Sequence, residues 1–523
     1  MNLLEVILFL MLCAVALGWV ARRAELPYSI ALIVGGGALG FVPQLPQVTF
    51  DPQSLLVIVL PPILYQGALL ASWRDFKENV RPISLLSVGL VIATTVVVGA
   101  TLKWLIPDIP WAAAFALGAI VSPTDAVATS AILSQSSMPR RLVAVLQGES
   151  LVNDASGLVT YKFAVAAVLT GAFSLLDASL DFVFVSVGGI LVGVVMARLF
   201  VFIHRHLGDT FIEVLMTLAV PYLAYLFAES LKVSGVLAVL SAGIVRGRYS
   251  PEIVSAEMRI IARSVWNMLV FLLNSLVFVL IGMQLSGIIE RLSGYSLVTL
   301  FSYGVLVSMV AILVRFAWIY PSSWLSQCVA RSPRLAAALR PGARQPESEL
   351  FVMSWCGMRG IVSLCAALAL PVALPDGTPF PYRDLIIFLT FFLISVTLVV
   401  QGLTLAPLTR KLRVGADSSI QEEKRLAKLA LARAAMAAID SVAGRERIPH
   451  DVAERIRAEF AEKIRLEMPG DSRPIGSDPA RLLRSAAIQA ERRELIRIWR
   501  EDQISDEVLH ELEEGLDYQE SHL

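Results

Sequence analysis

The chain has 523 residues, 56% of them hydrophobic and 17% charged, with a mean hydropathy of +0.69. Soluble globular chains average about 45–50% apolar and about 25% charged residues, so this composition excludes a soluble enzyme, a disordered chain and a nucleic-acid binder. With 44 basic and 44 acidic residues the formal net charge is zero, and no bulk attraction to nucleic acid or anionic lipid follows.

The charges are unevenly spread. Residues 1–410 hold 46 of the 88, and residues 411–523 hold the other 42. This split predicts a transmembrane domain over residues 1–410 and a helical C-terminal domain over 411–523. The first apolar run, Leu3–Val20, has no positive stretch before it and is followed by Arg22 and Arg23, which predicts a retained spanning helix rather than a signal peptide. Cys13, Cys328, Cys356 and Cys365 show neither a CxxC pair nor metal-ligand spacing, so no disulfide framework is expected.

A bilayer-crossing helix needs about 20 apolar residues. In chain order, thirteen stretches qualify, at about 2–20, 27–42, 54–71, 83–104, 111–133, 142–170, 180–203, 211–230, 233–246, 261–285, 296–320, 350–373 and 384–409. The second and ninth are short and rich in small residues, and Gly35 to Gly40 suits close helix packing. The odd-numbered loops between these stretches carry 16 Lys and Arg residues, the even-numbered loops only Lys103, Lys232, Arg291 and Arg383. The positive-inside rule then puts the odd loops and the tail in the cytoplasm, with the N-terminus outside. The expected fold is an all-α polytopic membrane protein with about thirteen transmembrane helices.

Ionisable groups at membrane depth are functional candidates by default. Four stand out: Asp125 in the fifth stretch, Glu149 and Asp154 in the sixth, and Arg359 in the twelfth. Around Asp125 the sequence runs Ser122-Pro123-Thr124-Asp125. Pro123 removes a backbone donor, and the neighbouring hydroxyls can satisfy the freed carbonyls, so an interrupted helix is expected, with a plain proline kink as the alternative. In the sixth stretch Glu149, Ser150, Asn153, Asp154 and Gly157 share one helical face that cannot point at lipid. Interhelical hydrogen bonding is the alternative there. In the twelfth, Gly357 and Gly360 weaken the helix around Arg359, whose buried charge needs an anion. Glu149 is the expected partner, and snorkelling is the alternative. The fifth and twelfth stretches are seven apart and so run in opposite directions, which points to inverted repeats around a shared site. Lys162 and Arg315 could pair with buried acids or snorkel. Glu213 and Glu229 are expected at helix ends, Asn274 in a helix contact, and His204 and His206 in a cytoplasmic loop where pH sensing is possible.

Beyond Arg410, Ser419 followed by Glu422 resembles a capping box for a helix to about Ala443. Further helices are expected at about 450–467, 478–503 and 506–516, with breaks at Pro469-Gly470 and Gly476. A packing or dimer-supporting appendage and a regulatory domain are both open readings of this tail.

The runs GESLVND at 148–154, SPTDAVA at 122–128, GMRG at 357–360 and LPPILYQGAL at 60–69 resemble the monovalent cation:proton antiporter-1 family, in order and spacing over about residues 1–410. That family includes bacterial NhaP-type antiporters and animal Na+/H+ exchangers. The resemblance implies a homodimer whose protomers combine a dimerisation part with a six-helix core carrying two crossed broken helices. It implies Na+ and proton binding at Asp154, with Ser150 and Thr124 as further ligands. Asn153 matches the Asn of the ND pair that marks electroneutral members, and Asp125 the acid that holds the broken fifth segment. Glu149 and Arg359 match the family's buried ion pair. Many NhaP-like members have Glu where this chain has Gln66, so a ligand oxygen survives there but a charge does not.

A buried carboxylate can hold a proton or a small hard cation but not both, so competition at Asp154 gives one-for-one exchange without net charge movement. Oxygen ligands suit a hard cation, and Na+, K+ and Li+ all fit that description. The expected function is thus electroneutral Na+/H+ antiport by alternating access, in a cell (inner or plasma) membrane. No cofactor is expected beyond the transported ions; the partners are the bilayer, a second copy and monovalent cations, with no nucleic acid. A K+-selective antiporter is the near alternative. A cation channel and an intramembrane aspartyl protease using Asp125 and Asp154 are rivals of another class, and no enzymatic motif such as HExxH or GxSxG occurs.

Overall fold

The computed structural model describes residues 3–23, 28–42, 52–125, 138–171, 175–330, 346–412, 414, 418–445, 448–466 and 478–521. Apart from an isolated bridge between Ala373 and Pro379, the regular elements among the described residues are helices. They are α1 (Leu3–Arg23), α2 (Tyr28–Gly40), α3 (Pro52–Leu69), α4 (Trp73–Glu78), α5 (Val80–Leu105), α6 (Trp111–Val121), α7 (Arg140–Thr170), α8 (Leu175–His204), α9 (Thr210–Ser230) and α10 (Gly235–Ile253). There follow α11 (Ala256–Arg291), α12 (Leu297–Ala330), α13 (Glu347–Trp355), α14 (Ile361–Leu368), α15 (Arg383–Lys411), α16 (Ser418–Arg445), α17 (His450–Leu466), α18 (Asp478–Arg500) and α19 (Asp506–Ser521).

Each apolar stretch expected to span holds helix, because a chain buried in apolar surroundings must satisfy its own backbone. Six described helices are long and apolar enough to cross a bilayer, and α2 and α6 are shorter apolar helices. Four stretches depart most from expectation. The ninth continues as helix to Ile253 and the eleventh to Ala330, the fifth stops at Val121, and the twelfth divides into α13 and α14. Residues 126–137, which include the end of the SPTDAVA run, lie outside the described residues. Two π-helical turns, Leu85–Leu90 in α5 and Thr397–Gln401 in α15, interrupt otherwise α-helical segments, a distortion common near functional sites.

The outside of the bundle is apolar. Phe184, Leu191, Val195 and Phe202 of α8 and Phe211 and Leu215 of α9 are exposed, as a lipid-facing surface requires. Inside, small residues let backbones touch. A Cβ on Gly282 of α11 would lie 2.1 Å from the carbonyl carbon of Gly36 in α2, so the glycine run of α2 serves close helix packing.

The loops segregate by parity. Arg291, at the end of α11, and Asp384, in the first turn of α15, form a 3.1 Å ion pair at one end. At the other end the tail touches the third, fifth and ninth loops, through Arg74, Arg140, Glu252 and Arg259. The tail packs around its own apolar clusters, one including Leu431, Ile488, Leu495 and Leu509, the other Ala435, Ile439, Ala453 and Ile456.

Candidate cation site

The site forms where two chain breaks cross. Beyond Val121 the chain leaves the helix at Ser122, and Pro123 denies it the next backbone donor. Between Trp355 and Ile361 the chain is non-helical over Cys356–Gly360. The breaks are stitched together by the Asp125 N–H, which donates to the Met358 carbonyl at 2.8 Å. Because α6 and α13 approach from opposite ends, both present their carbonyl-bearing C-termini to the crossing.

Arg359 answers those carbonyls. It is buried, its Nε donates to the Val121 carbonyl at 3.0 Å, and its Nη1 donates to the Gly357 carbonyl. Its backbone N–H donates to Thr397 Oγ1 at 3.2 Å, beside the π-turn of α15. The Asp125 carboxylate lies over Gly360, where an added Cβ would come within 1.8 Å of Oδ2. Gly360 leads into α14, so a carboxylate sits at a helix N-terminus and a guanidinium at two helix C-termini. Each charge opposes the helix dipole it faces.

One turn further in, Asn153 Nδ2 donates to Thr124 Oγ1 at 2.8 Å, and Thr124 Oγ1 is 3.0 Å from Ser150 Oγ. Thr124, Ser150, Asn153 and Asp154 are all buried. The Asn153 amide oxygen has no hydrogen-bond partner among the described residues, and Asp154 has no ion-pair partner among them. The structure thus brings the hydroxyl and amide candidates into one hydrogen-bonded cluster beside a buried carboxylate. Close packing holds it there: a Cβ on Gly157, one turn past Asn153, would lie 2.5 Å from Pro123.

One expected pairing is corrected. Glu149 does not pair with Arg359; its partner is Arg315 of α12, whose Nη1 and Nη2 both reach the carboxylate, the latter at 2.8 Å. Arg315 Nε donates to the Met353 carbonyl at 3.0 Å, and both side chains of the pair are about 1% exposed. The reason lies in competition: the ends of the broken helices offer Arg359 carbonyls close to hand, while Arg315, in mid-helix, has Glu149 as its ion-pair partner among the described residues. A guanidinium in a long apolar run needs a buried acid, and Arg315 meets that condition as fully as Arg359.

Other residues fall into place. Gln66 Nε2 donates to Asn267 Oδ1 of α11 at 3.1 Å rather than to the Thr124 cluster. Lys162 pairs with Glu229 at 2.6 Å near the helix ends. His204 is not a loop residue: it ends α8, is buried, and lies 3.6 Å from Glu213 and 3.5 Å from Arg246. His206 is exposed, with Nδ1 2.8 Å from the Phe202 carbonyl.

A cavity of about 540 Å³ runs from the tail to Gln66, Gln147 and Gly148. At 1.5 Å per residue along α7, Gly148 is about 9 Å short of Asp154, so the cavity approaches the site from the tail's end without lining it.

Two broken helices crossing at a buried polar centre are the architecture of a secondary transporter. The family profile described as "Sodium/hydrogen exchanger, transmembrane" matches residues 7–411. An uncharacterized Na+/H+ exchanger of Mycobacterium tuberculosis is 34% identical over 529 residues, covering 99% of this chain and 96% of the relative. The "Sodium, potassium, lithium and rubidium/H(+) antiporter" of Bacillus subtilis is 36% identical over 397 residues, 73% of this chain and 58% of the relative. Among solved structures, the sodium proton antiporter MjNhaP1 of Methanocaldococcus jannaschii has the same fold, with a TM-score of 0.63 at 20% identity over 79% of this chain and 99% of that one. The chain belongs to the sodium/hydrogen exchanger family, a family of multi-pass Na+/H+ antiporters, which sets aside the channel and protease readings.

Proposed function

We propose that this protein exchanges Na+ for H+ one for one, without net charge movement, by alternating access at Asp154. The observation that carries this reading is the charge balance of the site. Glu149 is matched by Arg315, Asp125 sits at the start of α14, and Arg359 is held by two carbonyls. Among the described residues of the site Asp154 alone is left to take up a proton or a cation, with Thr124, Ser150 and the Asn153 amide oxygen as neutral oxygen ligands. Asn153 itself cannot titrate, so a second charge does not accompany the cycle. Oxygen-only ligation suits Na+, Li+ and K+, and the printed name of the Bacillus subtilis relative supports acceptance of several alkali cations. The reaction needs no group beyond the transported ions.

The protein works as a homodimer in the cell membrane, with residues 1–410 as the transport domain and residues 411–523 as a cytoplasmic domain. The N-terminus lies outside, in line with the parity of the basic loops and with the tail docking on odd-numbered ones.

The test is proton movement in proteoliposomes, followed with a pH-sensitive dye as Na+, K+ or Li+ is added, with and without an ionophore that clamps the voltage. Exchange is expected to be indifferent to the clamp, to pass through an optimum in pH as proton and cation compete, and to vanish in Asp154→Asn. Voltage-sensitive exchange would overturn the one-carboxylate stoichiometry, and exchange surviving in Asp154→Asn would overturn the site.

A further inference from the structure

The bundle's own lining of the 540 Å³ cavity is ill-suited to a cation. It presents four guanidiniums, Arg140, Arg246, Arg259 and Arg263, against one carboxylate, Asp75. Asp75 is taken by Arg140 at 2.7 Å. Arg246 is 2% exposed; it meets the ring of His204, and the Glu213 carboxylate lies on the far side of that ring. A cation entering between low-dielectric walls of like charge is repelled more strongly than it would be in open water.

The rest of the wall is α19. It adds Asp506, Glu507 and Glu513 to the same cavity, so the four guanidiniums face four carboxylates. The helix is fastened in that position from several sides. Arg259 pairs with Glu513 at 3.1 Å and Asp517 at 2.8 Å, and Arg263 pairs with Glu514 at 2.5 Å. Ser72 donates to Asp506 at 2.6 Å, and Arg74 donates to the Ile504 carbonyl at 3.1 Å. The docked helix does not plug the cavity: 540 Å³ remains, room for well over ten waters at about 30 Å³ each.

We propose that α19 is part of the ion path, its carboxylates neutralising an arginine-lined vestibule so that a cation can reach Asp154. The proposal rests on reading this cavity as the cation's way to Asp154. Glu507 is the residue that isolates the effect. It lines the cavity, is exposed, and makes no ion pair with a described residue, so its removal changes charge without unfastening the helix.

The experiment uses the full chain in proteoliposomes, with Na+ varied on the tail's side at low and at high ionic strength set by an impermeant salt. In Glu507→Gln the KM for Na+ is expected to rise about twofold at low ionic strength, and in Glu507→Lys about fourfold, with kcat unchanged. Both differences are expected to fade at high salt. An unchanged KM at low salt, a KM shift that persists at high salt, or a fall in kcat alone would each overturn the proposal. Asp154→Asn, assayed in parallel, separates its failure from that of the site: exchange surviving there condemns the site whatever Glu507 does.

Discussion

Arg315 and Arg359 are both buried beside the crossing, yet one balances a carboxylate and the other balances backbone carbonyls. Removing one partner of a buried pair strands the other, at a cost of about 3–5 kcal/mol, whereas replacing both with apolar groups is often neutral. Arg315→Met is therefore expected to destabilise the protein by about that amount, and Glu149→Met/Arg315→Met to recover most of it, as read from thermal unfolding in detergent. Equal loss in the single and double variants would show that the pair does not act as a unit. At this scale the sequence was informative where the helix period decides. Ser150, Asn153 and Asp154 share a face by arithmetic alone, and Pro123 foretold the break that delivers Thr124. It failed where a partner had to be chosen across space: Glu149 had two arginines available, and nothing in the linear order says which one already has carbonyls to hold.

Among the elements, the crossing depends on α6, α13 and α14 meeting at close range. Gly360 is where that closeness is tightest, since an added Cβ would fall 1.8 Å from the Asp125 carboxylate. Gly360→Ala is expected to push Asp125 off the start of α14 and to slow exchange about tenfold, measured in the same dye assay. Unaltered exchange in that variant would mean that Asp125 is not needed where it lies. The helices themselves were legible because a bilayer demands long apolar runs and tolerates few charges. The π-turns at Leu85–Leu90 and Thr397–Gln401 were not, since one extra residue in a turn leaves the apolar pattern almost intact.

For the molecule as a whole, the tail is the part the sequence described least. Its helices could be placed from caps and breaks, but its docking could not, because ion pairs between polar surfaces such as Arg259 with Glu513 follow no period. Docking buries Glu513, and that burial holds its carboxyl above the ordinary glutamate range. Between the ordinary and the raised value the docked helix keeps a proton that a freed helix releases, and above the raised value Glu513 is the carboxylate that meets Arg259. Protonation of Glu513 favours docking fully below the ordinary glutamate value, and that gain is lost as pH rises through the raised one. The protection of α19 against hydrogen exchange, relative to the intrinsic rate at each pH, is expected to fall as pH rises through this acidic window in the parent and to show no such change in Glu513→Gln.

The fastening points of the tail lie on different helices. Arg140 opens α7, the helix that carries Asp154, whereas Arg259 and Arg263 belong to α11. Glu423 holds the first while α19 holds the others. Under the proposed alternating access, turning Asp154 from one side of the membrane to the other would mean moving α7, and a tail fixed at both points would be a strap across a moving joint. On that mechanism it would have to travel, stretch or let go once in every cycle. Conditions on the tail's side of the membrane that never touch the buried carboxylate, ionic strength above all, would then act as a brake or a release on the turnover of the whole machine.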